Sequence, residues 1–170
     1  ELNRKIEAKN KVAHNFTILS LPVSLSAQRY VAEILCNDKY PVMQSLGPLL
    51  KKARQPKIRL GYYSADFHNH ATAYLMAELF ERHDKEKFEL FAFSFGPDTK
   101  DKMQIRVSQA FDHFINVTSL SDIEVALLSR ELDIDIAVDL KGVTQDARLG
   151  IFSFRAAPIQ VSYLGYPGTL

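Results

Sequence analysis

Residues Lys57–Ala77 read KIRLGYYSADFHNHATAYLMA. The stretch opens on a short strand-like run and passes through a polar loop holding Asp66, His68, Asn69 and His70. It ends where apolar residues begin to recur at helical spacing. A strand, a polar loop and a helix in that order is the repeating unit of an open α/β sheet. Such sheets hold their chemistry in the loops that leave the carboxyl ends of the strands.

Working outward, the same unit recurs downstream. Ile58–Tyr63 reads as a strand and Tyr74–His83 as a helix with Met76, Leu79, Phe80 and His83 on one face. Phe88–Phe95, FELFAFSF, is a second strand, and its nearly continuous apolar run predicts burial on both faces. Gly96-Pro97-Asp98 turns the chain, residues 101–111 form a charged amphipathic helix, and His113–Val117 is a third strand. Ser121-Asp122-Ile123-Glu124 is a capping box opening a helix that carries Ile123, Ala126, Leu127 and Arg130. Ile134–Leu140, Asp146–Phe154 and Ile159–Leu164 complete the series as strand, helix and strand. This alternation predicts a doubly wound, mainly parallel five-stranded sheet of order 3-2-1-4-5, with its topological switch point between strands 1 and 4.

Upstream of Lys57 the pattern differs. Residues 1–12 are polar and charged, the end of a helix or a linker, and His14–Pro22 is a short apolar run stopped by Pro22. Ser24 or Ser26 caps a helix whose buried face is Ala27, Tyr30, Val31, Ile34 and Leu35. Residues 37–56, punctuated by Pro41, Gly47 and Pro48, read as a linker in which Lys51, Lys52 and Arg54 form a small, solvated basic cluster.

The totals exclude several classes. Lys and Arg number 21 against 20 Asp and Glu, too even a balance to hold nucleic acid through counterion release. One cysteine, Cys36, rules out an internal disulfide framework; it falls on an apolar helix face, as a buried small hydrophobe would, and fits a reducing compartment. No window approaches the roughly 20 apolar residues of a membrane span, and the charged start is no signal peptide. A start without Met and a stop straight after a strand and its loop read as a piece of something longer.

Three loops meet along the carboxyl edge of the predicted sheet. They carry Asp66, His68, Asn69 and His70; then Gly142 and Thr144; then Gly165, Pro167 and Gly168. Glycine lets backbone N–H groups approach a ligand closely. Helix N-termini after strands 1 and 4 would favour an anion such as phosphate. Each residue also has a plain reading. His68 and His70 are equally loop histidines, and one His-x-His pair without a further cluster is too little for a metal, so none is expected. Asp66 reads as a helix cap, and Asp139 as a cap or a partner for Lys141. Arg148 and Arg155 either hold phosphate or lie over the helix surface, and Gly165, Pro167 and Gly168 make a turn.

The run Gly61-Tyr62-Tyr63-Ser64-Ala65-Asp66-Phe67 with Asn69-His70 resembles the GYVSxDFxxH opening of the catalytic region in the protein O-GlcNAc transferase and SPINDLY family of glycosyltransferases. Val138–Thr144 with Ala147-Arg148 is similar to its GYT…AR segment, and Arg155–Thr169 to its RPAPIQ…LGYPGT signature. The resemblance spans residues 57–169 in order and spacing and lies nearest the bacterial branch. Three positions depart from the pattern: Ala71 stands where the family has Pro, Tyr74 where a second His is common, and Val143 where it has Tyr.

The resemblance implies a two-lobed GT-B transferase, usually preceded by tetratricopeptide helices that grip protein substrates. Residues 1–56 would be a helical extension and linker, and 57–170 the Rossmann-like N-terminal catalytic lobe. Most of the nucleotide pocket would belong to a C-terminal lobe beyond this chain. By position, His70 matches the family histidine at the sugar-transfer site, catalytic or sugar-contacting. Thr144, Leu164, Gly165 and Pro167 match positions around the donor sugar. The implied reaction moves a sugar, GlcNAc, from a UDP-sugar to protein Ser or Thr hydroxyls with inversion, in the cytoplasm, without cofactor, metal, membrane or nucleic acid. Residues 1–170 alone would then be inactive. From a different class, the same crevice would suit a non-catalytic α/β binding or scaffold domain for a phosphate-bearing ligand or a partner protein. A phosphate-accepting receiver domain is disfavoured, because strand 1 lacks a paired-acid cluster at its end.

Overall fold

The computed structural model describes residues 1–8, 10, 13–50 and 55–169. In chain order the elements are α1 (Leu2–Glu7), α2 (Asn15–Ile18), α3 (Leu25–Lys39), β1 (Ile58–Ser64), α4 (Ala71–Glu81) and β2 (Phe88–Ser94). They continue with α5 (Lys102–Ala110), β3 (His113–Asn116), α6 (Asp122–Glu131), β4 (Ile136–Asp139), α7 (Gly150–Ser153) and β5 (Ile159–Ser162). The strands form one sheet of order β3-β2-β1-β4-β5. Every pairing is parallel, with Ile58 opposite Phe88 and Leu60 opposite Ile136. This is the predicted order, and it puts the switch point between β1 and β4.

Strand alternation divides the core in two. Leu60, Tyr62, Leu90, Ala92 and Val138 point to one side, where α4 and α5 cover them with Met76, Phe80 and Val107. Tyr63, Phe91, Phe93 and Ala137 point to the other, against Val125 and Ala126 of α6 and Ile151 of α7. The unbroken apolar run of β2 therefore has the two-sided burial its composition predicts.

Elements depart from the sequence reading where a particular residue takes the chain elsewhere. α4 begins three residues early, at Ala71, because His70 supplies its cap: the His70 Nδ1 accepts from the Thr72 N–H at 3.2 Å. β4 starts only at Ile136, since Asp133 adopts φ +53° and Ile134 donates back to the Ser129 carbonyl at 3.1 Å. The helix predicted over 146–154 shrinks to one turn. Asp146 sits at φ +59°, and Arg148 turns to donate to Asp122 at 2.7 Å and to the Val117 and Leu120 carbonyls.

The N-terminal helices bury Ile6, Ile18, Ala27 and Val31 together, with Ser24 capping α3 through the Ala27 N–H at 3.2 Å. Cys36 is half-buried, less than its helix face suggested, and burial pushes its thiol up. The basic residues Lys51, Lys52 and Arg54 lie outside the described residues. Contacts cross between the helices, the linker and the sheet unit: Met43 N–H donates to the Ser153 carbonyl at 2.9 Å, and Tyr166 Oη to the Asn15 carbonyl at 2.8 Å.

Candidate active site

β1 ends inside the molecule, so the loop that follows starts buried. Ser64 Oγ accepts from the Asp66 N–H at 2.9 Å, which turns the chain at once. Phe67 then plugs the core against Phe80, Phe111 and Phe114. With Phe67 anchored inward, Asp66 is also held near the interior, 7% exposed, while His70 emerges with its side chain 43% exposed. From the neighbouring loop, Asp101 Oδ2 accepts the Asn69 N–H at 2.9 Å and fixes the residue before His70.

β4 ends one strand away. Asp139 accepts from the backbone N–H groups of Lys141 at 2.9 Å and Gly142 at 2.8 Å, closing a tight turn. Burial pushes its carboxyl up, while these bonds and Lys141 oppose the shift. The Lys141 side chain is not the partner of Asp139. Its Nζ crosses to β1 and meets both oxygens of Asp66, at 3.0 and 2.8 Å, with Lys141 only 4% exposed. Thr144 Oγ1 donates to the Lys141 carbonyl at 2.8 Å. From the third loop, Gly165 presses against the same turn. A Cβ on Gly165 would lie 2.0 Å from the Leu140 carbonyl oxygen and 2.9 Å from the Lys141 Cα, so no larger residue fits there.

Lys141 is thus the hub. It touches the β1 loop through Asp66, the β4 loop through Thr144, and the β5 loop through Gly165. Asp66 Oδ2 is also 3.5 Å from the His70 Nδ1. Two hydrogens compete for that nitrogen's role. When His70 Nδ1 is bare it accepts from Thr72 N–H, and the neutral ring carries its proton on Nε2. When Nδ1 is protonated it faces the Asp66 carboxylate, and in the neutral ring Nε2 is then free to accept a proton. Asp66 and the Thr72 N–H thus face the same ring nitrogen, which leaves Nε2 as the ring's other proton-exchanging atom.

A profile of the family described as Glycosyl transferase family 41 matches residues 16–170. The chain belongs to glycosyl transferase family 41.

The Caenorhabditis elegans UDP-N-acetylglucosamine-peptide N-acetylglucosaminyltransferase is 34% identical to this family-41 chain over 143 residues, 79% of the chain and 12% of the relative. The Arabidopsis thaliana protein named as a probable transferase of the same kind, SEC, is 34% identical over 122 residues, 72% of the chain and 12% of the relative. A solved structure, a K341M mutant of the Thermobaculum terrenum O-GlcNAc transferase, superposes with a TM-score of 0.73 at 28% identity. That match covers 86% of this chain and 28% of the other. The chain thus spans about an eighth of the length of the curated relatives it matches.

In this family-41 chain, His70, Thr144 and Gly165 join one network, and Leu164 stands beside Gly165, exposed at φ +66°. Pro167 is exposed as well. His68 lies with its ring 5.9 Å from that of His70 and takes no place in the network. Several plain readings are corrected. His70, not Asp66, caps α4, and its Nδ1 occupies the Thr72 N–H that an anion would have used. No helix begins directly after β4, so no helix N-terminus faces the crevice there. Arg148 braces the α6 and α7 side, and Arg155 donates to the Pro158 carbonyl at 3.0 Å. Among the described residues no group of three His, Cys, Asp or Glu is placed to hold a metal ion. The member that sequence reasoning missed is the Asp66–Lys141 pair; its signal was an acid and a lysine just beyond two strands that the predicted order makes neighbours.

Proposed function

We propose that this family-41 chain is the N-terminal catalytic lobe of an inverting glycosyltransferase. Its substrates would be a UDP-sugar, UDP-GlcNAc, and Ser or Thr hydroxyls of proteins. The observation that carries the reading is the His70–Asp66–Lys141 array beside the LGYPGT loop, at the switch point of a family-41 sheet. The names of the relatives support the donor and the peptide acceptor.

In this reading the acceptor oxygen bonds to the anomeric carbon, the bond from that carbon to the diphosphate oxygen breaks, and the hydroxyl proton passes to His70 Nε2. Asp66 faces the imidazolium that forms, and Lys141 meets both oxygens of Asp66 from the buried side. Leu164, Gly165, Pro167 and Thr144 surround the donor sugar. The departing diphosphate draws its stabilisation chiefly from a second, C-terminal lobe. Residues 1–56 serve as a helical extension and linker between tetratricopeptide helices and the lobe formed by 57–170. A cytoplasmic location belongs to the same proposal; one cysteine and no membrane-crossing helix among the described residues are compatible with it.

The test is sugar transfer from UDP-GlcNAc to a hydroxyl-bearing peptide by the natural full-length protein, beside donor titration of residues 1–170 alone. Transfer by the former and weak, unproductive binding by the latter are expected. A His70→Ala variant as active as the parent would remove His70 from the chemistry. Donor binding without any transfer in the full-length protein would favour the non-catalytic binding domain.

A further inference from the structure

The loop from Tyr163 to Gly168 is held from two sides. On one side Gly165 lies against the end of β4, as its 2.0 Å hypothetical Cβ distance to the Leu140 carbonyl oxygen shows. On the other, Tyr166 leaves the loop and inserts toward the N-terminal helices, 6% exposed. Its Oη donates to the Asn15 carbonyl in α2 at 2.8 Å, and its ring centroid lies 6.0 Å from that of Phe16. Gly168 folds back over the same ring, where a Cβ would come within 2.7 Å. Just ahead of these anchors Leu164 holds φ +66°, a left-handed conformation that a leucine keeps only when its surroundings over-determine it.

We infer that Tyr166 is a positioning residue for the donor sugar. By fastening the loop to α2 it holds the Leu164–Gly165 backbone against β4, which makes Asn15 and Phe16 part of the support of the donor site. The inference rests on the proposed reading that Leu164, Gly165 and Pro167 surround that sugar. A site must be held within about 0.5 Å of its productive geometry by groups that are themselves locked. Without the tyrosyl hydroxyl the loop loses one anchor while its ring packing remains. The N-terminal helices would then act on the reaction through donor affinity, not only as a link to other parts of a longer chain.

The experiment uses the natural full-length protein with two substitutions. Tyr166→Phe keeps the ring and removes the hydrogen bond; it should raise the donor KM about three- to ten-fold, leaving the acceptor KM and Tm near the parent's. Phe16→Ala acts from the extension at a residue 54% exposed, so the fold tolerates it, and should move the donor KM the same way by about two-fold. Amide hydrogen exchange at Gly165 and Gly168 should quicken in both variants. A donor KM that stays at the parent's value, or one that rises only in step with the acceptor KM or a lowered Tm, overturns the inference. If the parent protein neither binds nor transfers the donor, the functional reading and the donor role of Tyr166 fall together, while exchange still decides whether Tyr166 holds the loop. If the parent transfers sugar and Tyr166→Phe matches it, this inference alone fails.

Discussion

A lysine 4% exposed is tolerated inside a protein only when a carboxylate meets its ammonium group, and Asp66 meets Lys141 with both oxygens. Replacing one partner leaves the other charge buried alone. Lys141→Met should therefore lower stability by about 3–5 kcal/mol, and the double change Lys141→Met with Asp66→Leu should recover most of it. Urea denaturation of the two variants measures this, and equal losses in both would show that the pair is not coupled. His70 has two tasks that can be separated. As a helix cap it needs only an acceptor for the Thr72 N–H, which an asparagine also offers. His70→Asn should keep the stability of the parent to within about 0.5 kcal/mol. As the proposed base it needs the imidazole, so sugar transfer by the full-length protein should fall about 10²- to 10⁴-fold. Thermal melts and initial rates on one preparation read both.

Among the elements, α5 does more than cover the sheet. Its N-cap Asp101 accepts from the Met103 and Gln104 N–H groups through Oδ1, and from Thr99 Oγ1 and Asn69 N–H through Oδ2. These bonds, the Thr99 hydroxyl foremost, then the N–H groups of Gln104, Asn69 and Met103, push its carboxyl down to about 2 against the opposing effect of burial. A carboxyl depressed by folding stabilises the native state above its unfolded value, and that contribution disappears as pH falls through the folded value. Asp101→Asn should be less stable than the parent at pH 7, with the gap closing as pH falls from about 4 to about 2. Denaturant titrations across that range test it; a gap independent of pH would mean that the charge is not what the bonds favour. Elements were legible where periodicity and caps agreed. The capping box at Ser121 and Glu124 forms as read, with the Ser121 N–H donating to Glu124 Oε2 at 2.7 Å. The helix read over 146–154 is cut to one turn because Arg148 finds its partners in another part of the fold, which no local pattern records.

At the scale of the molecule, Arg130 of α6 ties the linker to the sheet unit. Its guanidinium donates to the Leu46 and Gly47 carbonyls at 2.9 and 3.0 Å and to those of Phe154 and Arg155 at 2.7 and 2.9 Å. Burial lowers its pKa, yet four carbonyls meet it. Arg130→Met should cost about 1.5–3 kcal/mol and speed proteolysis between Tyr40 and Leu50, read by denaturation and by timed digestion. The sequence by itself determined the parallel sheet, its strand order and its family resemblance. Alternation of strands and helices admits few topologies, and the loop motifs are contiguous runs. It also brought His70, Thr144 and Gly165 to one edge. Only the tertiary structure decided which of those loops touch, and through what. The Asp66–Lys141 pair joins residues 75 positions apart and the Tyr166–Asn15 bond joins residues 151 apart. Contacts of that kind leave no periodic trace in the chain, because they depend on how two loops and a helix are finally packed and not on the local preference of any residue.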